Sequence, residues 1–235
     1  MPRSASTARL AAARRRARAE ESAESLTERA YRELEELIVT LQLAPGAAVT
    51  EASLASRLGI GRTPIREALH RLARERLVTI LPRRGIVVAA ENLTTQLRLL
   101  ELRREVERLL ARSAARRAGE AQRRRLAEIA AGMEQAARGN DDLGFMRLDR
   151  DFNLLMLEAA RNEFAAAAMV LMHGLSRRFW YIHYRAVADL PLAARLHAEV
   201  ARAVASGEAA AAAAASDRLI DYIEAFARAT AESGT

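Results

Sequence analysis

Arg62, Thr63 and Arg66 stand close together in the stretch GIGRTPIREALHRLARERL, residues 59–77. A spacing of four puts the two guanidinium groups on one face of a helix, one turn apart. Paired forks of N–H donors suit phosphate oxygens, or the O6 and N7 edge of guanine. A solvated helix face would explain the charge of this stretch, which continues through Arg71 and Arg74. A helix that meets phosphates explains its start as well. Pro64 near the first turn sacrifices no hydrogen bond there, and the first-turn amides are left to face an anion.

A second stretch, SRRFWYIHYR at residues 176–185, holds the single tryptophan of the chain. Arg178, Tyr181, His183 and Arg185 could reach a polar ligand while Trp180 or Tyr184 covers its apolar part. Aromatic side chains at these spacings serve equally well as core or as a subunit contact. Other chemistries are excluded by composition. The chain of 235 residues has no cysteine, hence no disulfide and no thiolate ligand or nucleophile. No charge-free run of apolar residues is long enough to span a membrane. A reducing cytoplasm is the expected location.

The charge is concentrated at one end. Residues 1–90 carry 16 arginines against 10 acids, a net of +6; residues 91–235 carry 21 against 20, a net of +1. A polyanion partner is therefore expected for the first part alone. Residues 1–25, rich in Arg, Ala and Ser, read as a disordered basic arm, a composition shared with organelle transit peptides.

Elements that would position the arginines follow from periodicity. Ala30, Leu34, Leu37, Ile38 and Leu41 form a helical stripe that Thr27 would cap and Pro45 would end. Thr50 caps a short second helix, which Gly59 closes. A third helix runs from about Thr63 to Glu75, with Ile65, Ala68, Leu69 and Leu72 inward. LVTIL and GIVVAA, separated by PRR, read as a hairpin. Residues 26–90 thus form three helices and a two-stranded wing, a winged helix-turn-helix whose third helix enters the major groove. Arg83, Arg84 and Gly85 at the hairpin tip would reach the neighbouring backbone or minor groove. After a polar linker at 91–96, residues 97–230 give no strand. Helices are expected at 93–117, 120–138, 141–160, 162–186, 190–205 and 208–230, forming an antiparallel all-α bundle. The fold class is mainly α.

The stretch LAPGAAVTEASLASRLGIGRTPIREALHRLARERLVTILPRRGIVV, residues 43–88, resembles the winged helix-turn-helix of the GntR family of bacterial transcription regulators. The resemblance implies a homodimer on a short palindromic stretch of double-stranded operator DNA, contacted through Arg62, Thr63, Arg66 and Gly85. Gly61 stands where the family usually has a serine, so a capping hydroxyl is absent. ELRREVERLLARSAA, RLDRDFNLLMLEAARNEF and LHAEVARAVASGEAAAAAA resemble the effector domain of the FadR-like branch, the FCD type. That resemblance implies a small-molecule effector, a small organic acid by expectation, with Arg103 facing its pocket. Many members also hold a divalent metal on one aspartate and three histidines. The matching positions here are Asp149, Asn153 and His197, with Leu219 in the place of the last histidine, so a reduced metal site is expected. The function implied is a repressor that senses a metabolite. Two other readings are an architectural DNA-binding dimer without effector, and an enzyme using Asp149 and His197 as an acid–base pair. No nucleophile pattern or phosphate loop supports the enzyme.

Overall fold

The computed structural model describes residues 25–83, 85–90 and 92–232, without the side chains of residues 143, 185–187 and 232. The basic arm expected at 1–25 lies outside the described residues but for Ser25, and Arg84 of the wing tip lies outside them too. The first domain contains α1 (Leu26–Val39), β1 (Ala48–Val49), α2 (Glu51–Leu58), α3 (Arg62–Arg74), β2 (Val78–Leu81) and β3 (Gly85–Val88). Ser25, not Thr27, caps α1: its Oγ accepts from the Glu28 amide at 3.1 Å. Thr27 instead donates its hydroxyl to Glu67 Oε2 at 2.7 Å, tying α1 to α3. Thr50 and Ser53 form a reciprocal capping box on α2, and Gly59 closes that helix at φ 63°.

The wing is a three-stranded antiparallel sheet in the order β1-β3-β2. Periodicity predicted the hairpin but not β1, whose two residues are too few to carry a pattern. Val78 pairs with Val88 and Leu81 with Gly85, while Ala48 and Val49 pair with Val87 and Ile86 on the other edge. Leu34, Ile38, Leu54, Ile65, Leu69, Leu72 and Leu77 build one core beneath these elements.

The second domain is α4 (Leu93–Arg117), α5 (Glu120–Gly139), α6 (Asp142–Ala160), α7 (Glu163–Val187), α8 (Leu190–Ser206) and α9 (Ala209–Glu232). Helix α4 starts inside the segment expected as linker, with Asn92 as its cap. Alanines let the helices approach closely: Ala130, Ala194, Ala198 and Ala201 are buried along α5 and α8, and Ala212 and Ala215 at the start of α9. Leu110, Leu126, Ile129, Met133, Phe152 and Met169 supply the larger side chains of this core.

The two domains meet along α7. A Cβ added at Gly174 would lie 2.6 Å from Leu77 Cδ1, so a glycine is what lets this helix settle onto the first domain. Leu175 packs against the core of that domain. Arg177 pairs with Glu35 at 3.1 Å, and Arg178 Nη1 donates to the Ala89 carbonyl at 2.9 Å.

Candidate nucleic-acid interface and bundle cavity

At the start of α3 the residues divide cleanly. Ile65, Ala68, Leu69 and Leu72 are buried, while Arg62, Thr63, Arg66 and Glu67 are exposed. The buried stripe fixes the helix against α1 and α2 and so fixes the direction of the exposed face. Gly61 occupies the cap position in an extended conformation, with no side-chain hydrogen bond to the first turn. The expected absence of a capping hydroxyl is thus present in the local geometry. A partial positive charge from the helix end adds to the two arginines.

Arg66 is not a loose side chain. Its Nε and Nη2 each donate to Glu51 at the start of α2, at 2.8 Å and 2.8 Å. The carboxyl of Glu51 is held below its usual range by this hydrogen bond, against a burial effect of opposite sign. Glu51 therefore grips one edge of the guanidinium and leaves Nη1 facing away. Sequence reasoning missed Glu51, because nothing in a spacing of 15 residues marks a contact between two helices. At the wing, Arg83 adopts φ 62° and Gly85 φ 93°. A Cβ at Gly85 would come within 3.2 Å of the Val49 carbonyl, so both its φ and β1 require glycine.

The bundle brings Asp149, Asn153 and His197 together, on α6 and α8. His197 Nδ1 lies 2.8 Å from the Ala193 carbonyl and must donate to it. Its Nε2 lies 3.2 Å from Asp149 Oδ1. A second N–H at Nε2 satisfies the carboxylate, so this pairing favours the imidazolium form of the ring. Burial disfavours that charge, yet the hydrogen bond and charge of Asp149 outweigh it and hold His197 above its ordinary value. The same pair, against the burial of the carboxyl, holds Asp149 below its own. Asn153 faces two acceptors of Asp149, the main-chain O at 2.8 Å and Oδ1 at 3.0 Å. Only an NH2 group can face both, so the amide donates to Asp149 instead of offering it a companion ligand.

These donors do not fit the four-ligand metal site that the resemblance implied. One carboxylate and one imidazole remain, the amide nitrogen is turned inward, and Leu219 is apolar. Asp217 and Asp221, on either side of Leu219, pair instead with Arg108 at 2.8 Å and Arg104 at 2.8 Å. Among the described residues no group of three or more His, Asp or Glu is placed to hold a metal ion.

Next to this pair is a cavity lined by Glu107, Phe152, Asn153, His173, Ser216 and Leu219 among others, with a volume of about 30 Å³. That is room for about two water molecules. Arg103 reaches it only through Glu107, to which its Nε donates at 2.7 Å. His173 has no paired ligand spacing in the sequence. It lies in this cavity, its pKa lowered by burial and then by Arg103. The interval of four between Arg103 and Glu107 was the signal that could have revealed the neutralised arginine.

Arg178, Trp180 and Tyr184, expected around one effector pocket with Arg103, are separated by the structure. A helix turns about 100° per residue, so near neighbours on α7 address different surroundings. Arg178 points to the junction between domains and is 2% exposed. Trp180 packs on Phe226 with ring centroids 4.7 Å apart, outside the bundle cavity. Tyr184 donates to Asp142 Oδ2 at 3.3 Å.

Residues 26–88 match the family described as bacterial regulatory proteins, gntR family, and residues 98–222 match the FCD domain. The chain belongs to the GntR family. Its GntR-type domain and FCD domain are the two units described above. Over 128 residues the chain is 31% identical to the Nta operon transcriptional regulator of Aminobacter aminovorans, covering 54% of this chain and 60% of that protein. Over 170 residues it is 26% identical to the HTH-type transcriptional repressor RspR of Escherichia coli, covering 72% and 75%. A Streptomyces ambofaciens regulator in an unstable DNA locus is 48% identical over 59 residues, a quarter of each chain (25% and 25%). The matched stretches thus span less than two thirds of some of these relatives. The fold is similar to that of E. coli McbR/YncC, with TM-score 0.75, 19% identity, and coverage of 88% of this chain and 98% of that one. A GntR regulator from Rhodococcus sp. RHA1 gives TM-score 0.62 at 19% identity, covering 86% and 97%.

Proposed function

We propose that this GntR-family chain is a homodimeric, sequence-specific DNA-binding repressor whose FCD domain responds to a small metabolite without a metal. The observation that carries the DNA reading is the start of α3. Arg62, Thr63 and Arg66 are exposed together at an uncapped helix end, above a buried stripe that fixes its direction. Such an end fits the major groove, with the wing residues Arg83 and Gly85 over the adjoining backbone. The repressor sign rests on the kinship with RspR, which is named a repressor. Pairing of two subunits is supported by apolar side chains left exposed at helical spacing. Leu102 and Leu109 share one face of α4, and Phe164, 80% exposed, and Leu171 share one face of α7. An effector entering the bundle cavity would move α6 and α7 apart, and α7 leads directly to the first domain.

Fluorescence anisotropy on DNA from the region upstream of the gene tests this reading. Wild-type protein should bind one fragment far above random DNA. Arg66→Ala should weaken that binding about 10- to 100-fold and relax selectivity at one base pair. Arg62→Ala should weaken it too, and a pure phosphate contact would flatten the salt slope by about one unit. Equal binding to all fragments by the wild type would overturn the proposal.

A further inference from the structure

Four residues beyond Arg66, the outer face of α3 carries an exposed histidine, His70. A helix turns about 100° per residue, so Thr63 and His70, seven residues apart, point within about 20° of each other. Both lie opposite the buried stripe of Ile65, Ala68, Leu69 and Leu72. His70 thus stands on the line that begins at the helix entry, about 10 Å further back. The charges around it favour an anion. Arg66 precedes it by one turn, and Arg74, also exposed, follows it by one turn. The one acid of α3, Glu67, is turned towards α1, where it accepts the Thr27 hydroxyl at 2.7 Å. From α2, the group that faces this row is Glu51, and Arg66 holds both of its oxygens. Glu51 is kept low chiefly by that hydrogen bond, against burial, and the charges of Arg62 and His70 add to the effect. His70 is therefore within electrostatic reach of the place where Glu51 grips Arg66.

We propose that His70 is a further DNA-contacting residue, which as an imidazolium donates to a phosphate oxygen at the edge of the major groove and makes operator affinity depend on pH. The proposal rests on the reading of α3 as the recognition helix. A major groove about 8.5 Å deep admits the first turns of a helix that enters by its end. A side chain about 10 Å behind the entry then meets the groove wall, where the phosphates stand, and not the base edges. An imidazole gains its charge and its second donor between about pH 5 and 8. Arg62 and Arg66 stay charged throughout that range, so they set a constant part of the affinity. His70 adds one phosphate contact on the acid side, and linkage makes affinity rise as pH falls. The same proton steepens the salt dependence, because each neutralised phosphate releases counterions.

Fluorescence anisotropy of the full-length chain on its preferred upstream fragment tests this, with a salt series at about pH 6 and about pH 8. The wild type should bind about three- to tenfold more tightly at the lower pH, with a salt slope steeper by about one unit. His70→Gln should show one affinity and one slope at both. His70→Arg is charged at both, so it should keep the tight affinity and the steep slope throughout. His173, His183 and His197 are present in all three proteins, so whatever they contribute cancels in the comparison. Because position 70 is exposed, the three should unfold at nearly the same temperature, which separates a contact from a folding effect. The proposal is overturned if wild type and His70→Gln change alike between the two pH values, or if His70→Arg keeps the pH dependence of the wild type. In both cases the preference for one fragment survives and the DNA-binding reading stands. A wild type that prefers no fragment at either pH overturns the reading of α3 and the role of His70 together.

Discussion

Each domain holds an acid against a base, and the two pairs are built for different ends. Glu51 and Arg66 meet at the surface, with side chains 31% and 58% exposed. Asp149 and His197 meet inside the bundle, at 26% and 14%. Water screens the first pair, so Arg66 can exchange its partner for DNA at little cost. The second pair is held by hydrogen bonds at each polar end: Ala193 on one ring nitrogen, Asp149 on the other, and Asn153 on the carboxylate. Exchange there would strand a charge in a poorly solvated place. The comparison teaches that an exposed pair positions a group for later use, whereas an enclosed pair fixes the packing around it.

The largest effect expected from breaking this contrast is on the inner pair. Asp149→Ala leaves an imidazolium without its carboxylate and should cost about 3 kcal/mol of stability, read from the denaturant midpoint. The pH dependence has a definite sign. His197 is raised in the folded state, so its contribution is complete below the unfolded value of about 6.5 and fades as pH rises through the folded value. Asp149 is lowered, so its contribution is complete above about 3.9 and fades as pH falls through the folded value. Stability should therefore fall as pH rises from the unfolded value of His197 through its raised folded value in the wild type, and that slope should vanish in Asp149→Ala. A slope that stays unchanged would show that the ring is not charged.

A smaller effect is expected at the outer pair. Glu51→Gln removes the grip on Arg66 but leaves the fold intact, so Tm should not move. The preference for operator over random DNA should fall by no more than about fivefold, the range of a surface ion pair. Loss of all preference would mean that Glu51 does more than aim Arg66. The smallest change sharpens the same helix end. Gly61→Ser restores a capping hydroxyl, and a Cβ there meets only Pro64 Cδ at 3.8 Å. It should add a few tenths of a kcal/mol to stability and tighten DNA binding slightly. A destabilised Gly61→Ser would show that the extended backbone at this cap cannot place the hydroxyl over the first turn.

Much of this architecture was legible in the residues because it depends on short-range rules. The six expected helices of the second domain match α4 to α9 to within about two residues at each end. Asn92, Asp141, Asn162 and Asp189 each cap one of them through a side-chain oxygen. Turn residues and the inward stripe of α3 likewise declared the winged helix-turn-helix. The Asp149–Asn153 pairing was legible too, since a spacing of four joins two side chains on one helix face.

Tertiary packing alone decided which residues meet across elements. Glu51 reaches Arg66 because α2 crosses α3 at one particular rotation. His173 joins Glu107 in the bundle cavity, while Arg178, five residues further along the same helix, turns to the other domain. Backbone periodicity and capping are properties of a few consecutive residues, so the sequence by itself determines them. Contacts between distant residues depend on how far each helix is rotated about its own axis when it packs, and a glycine such as Gly174 or a single alanine sets that rotation only once the neighbouring helix is in place.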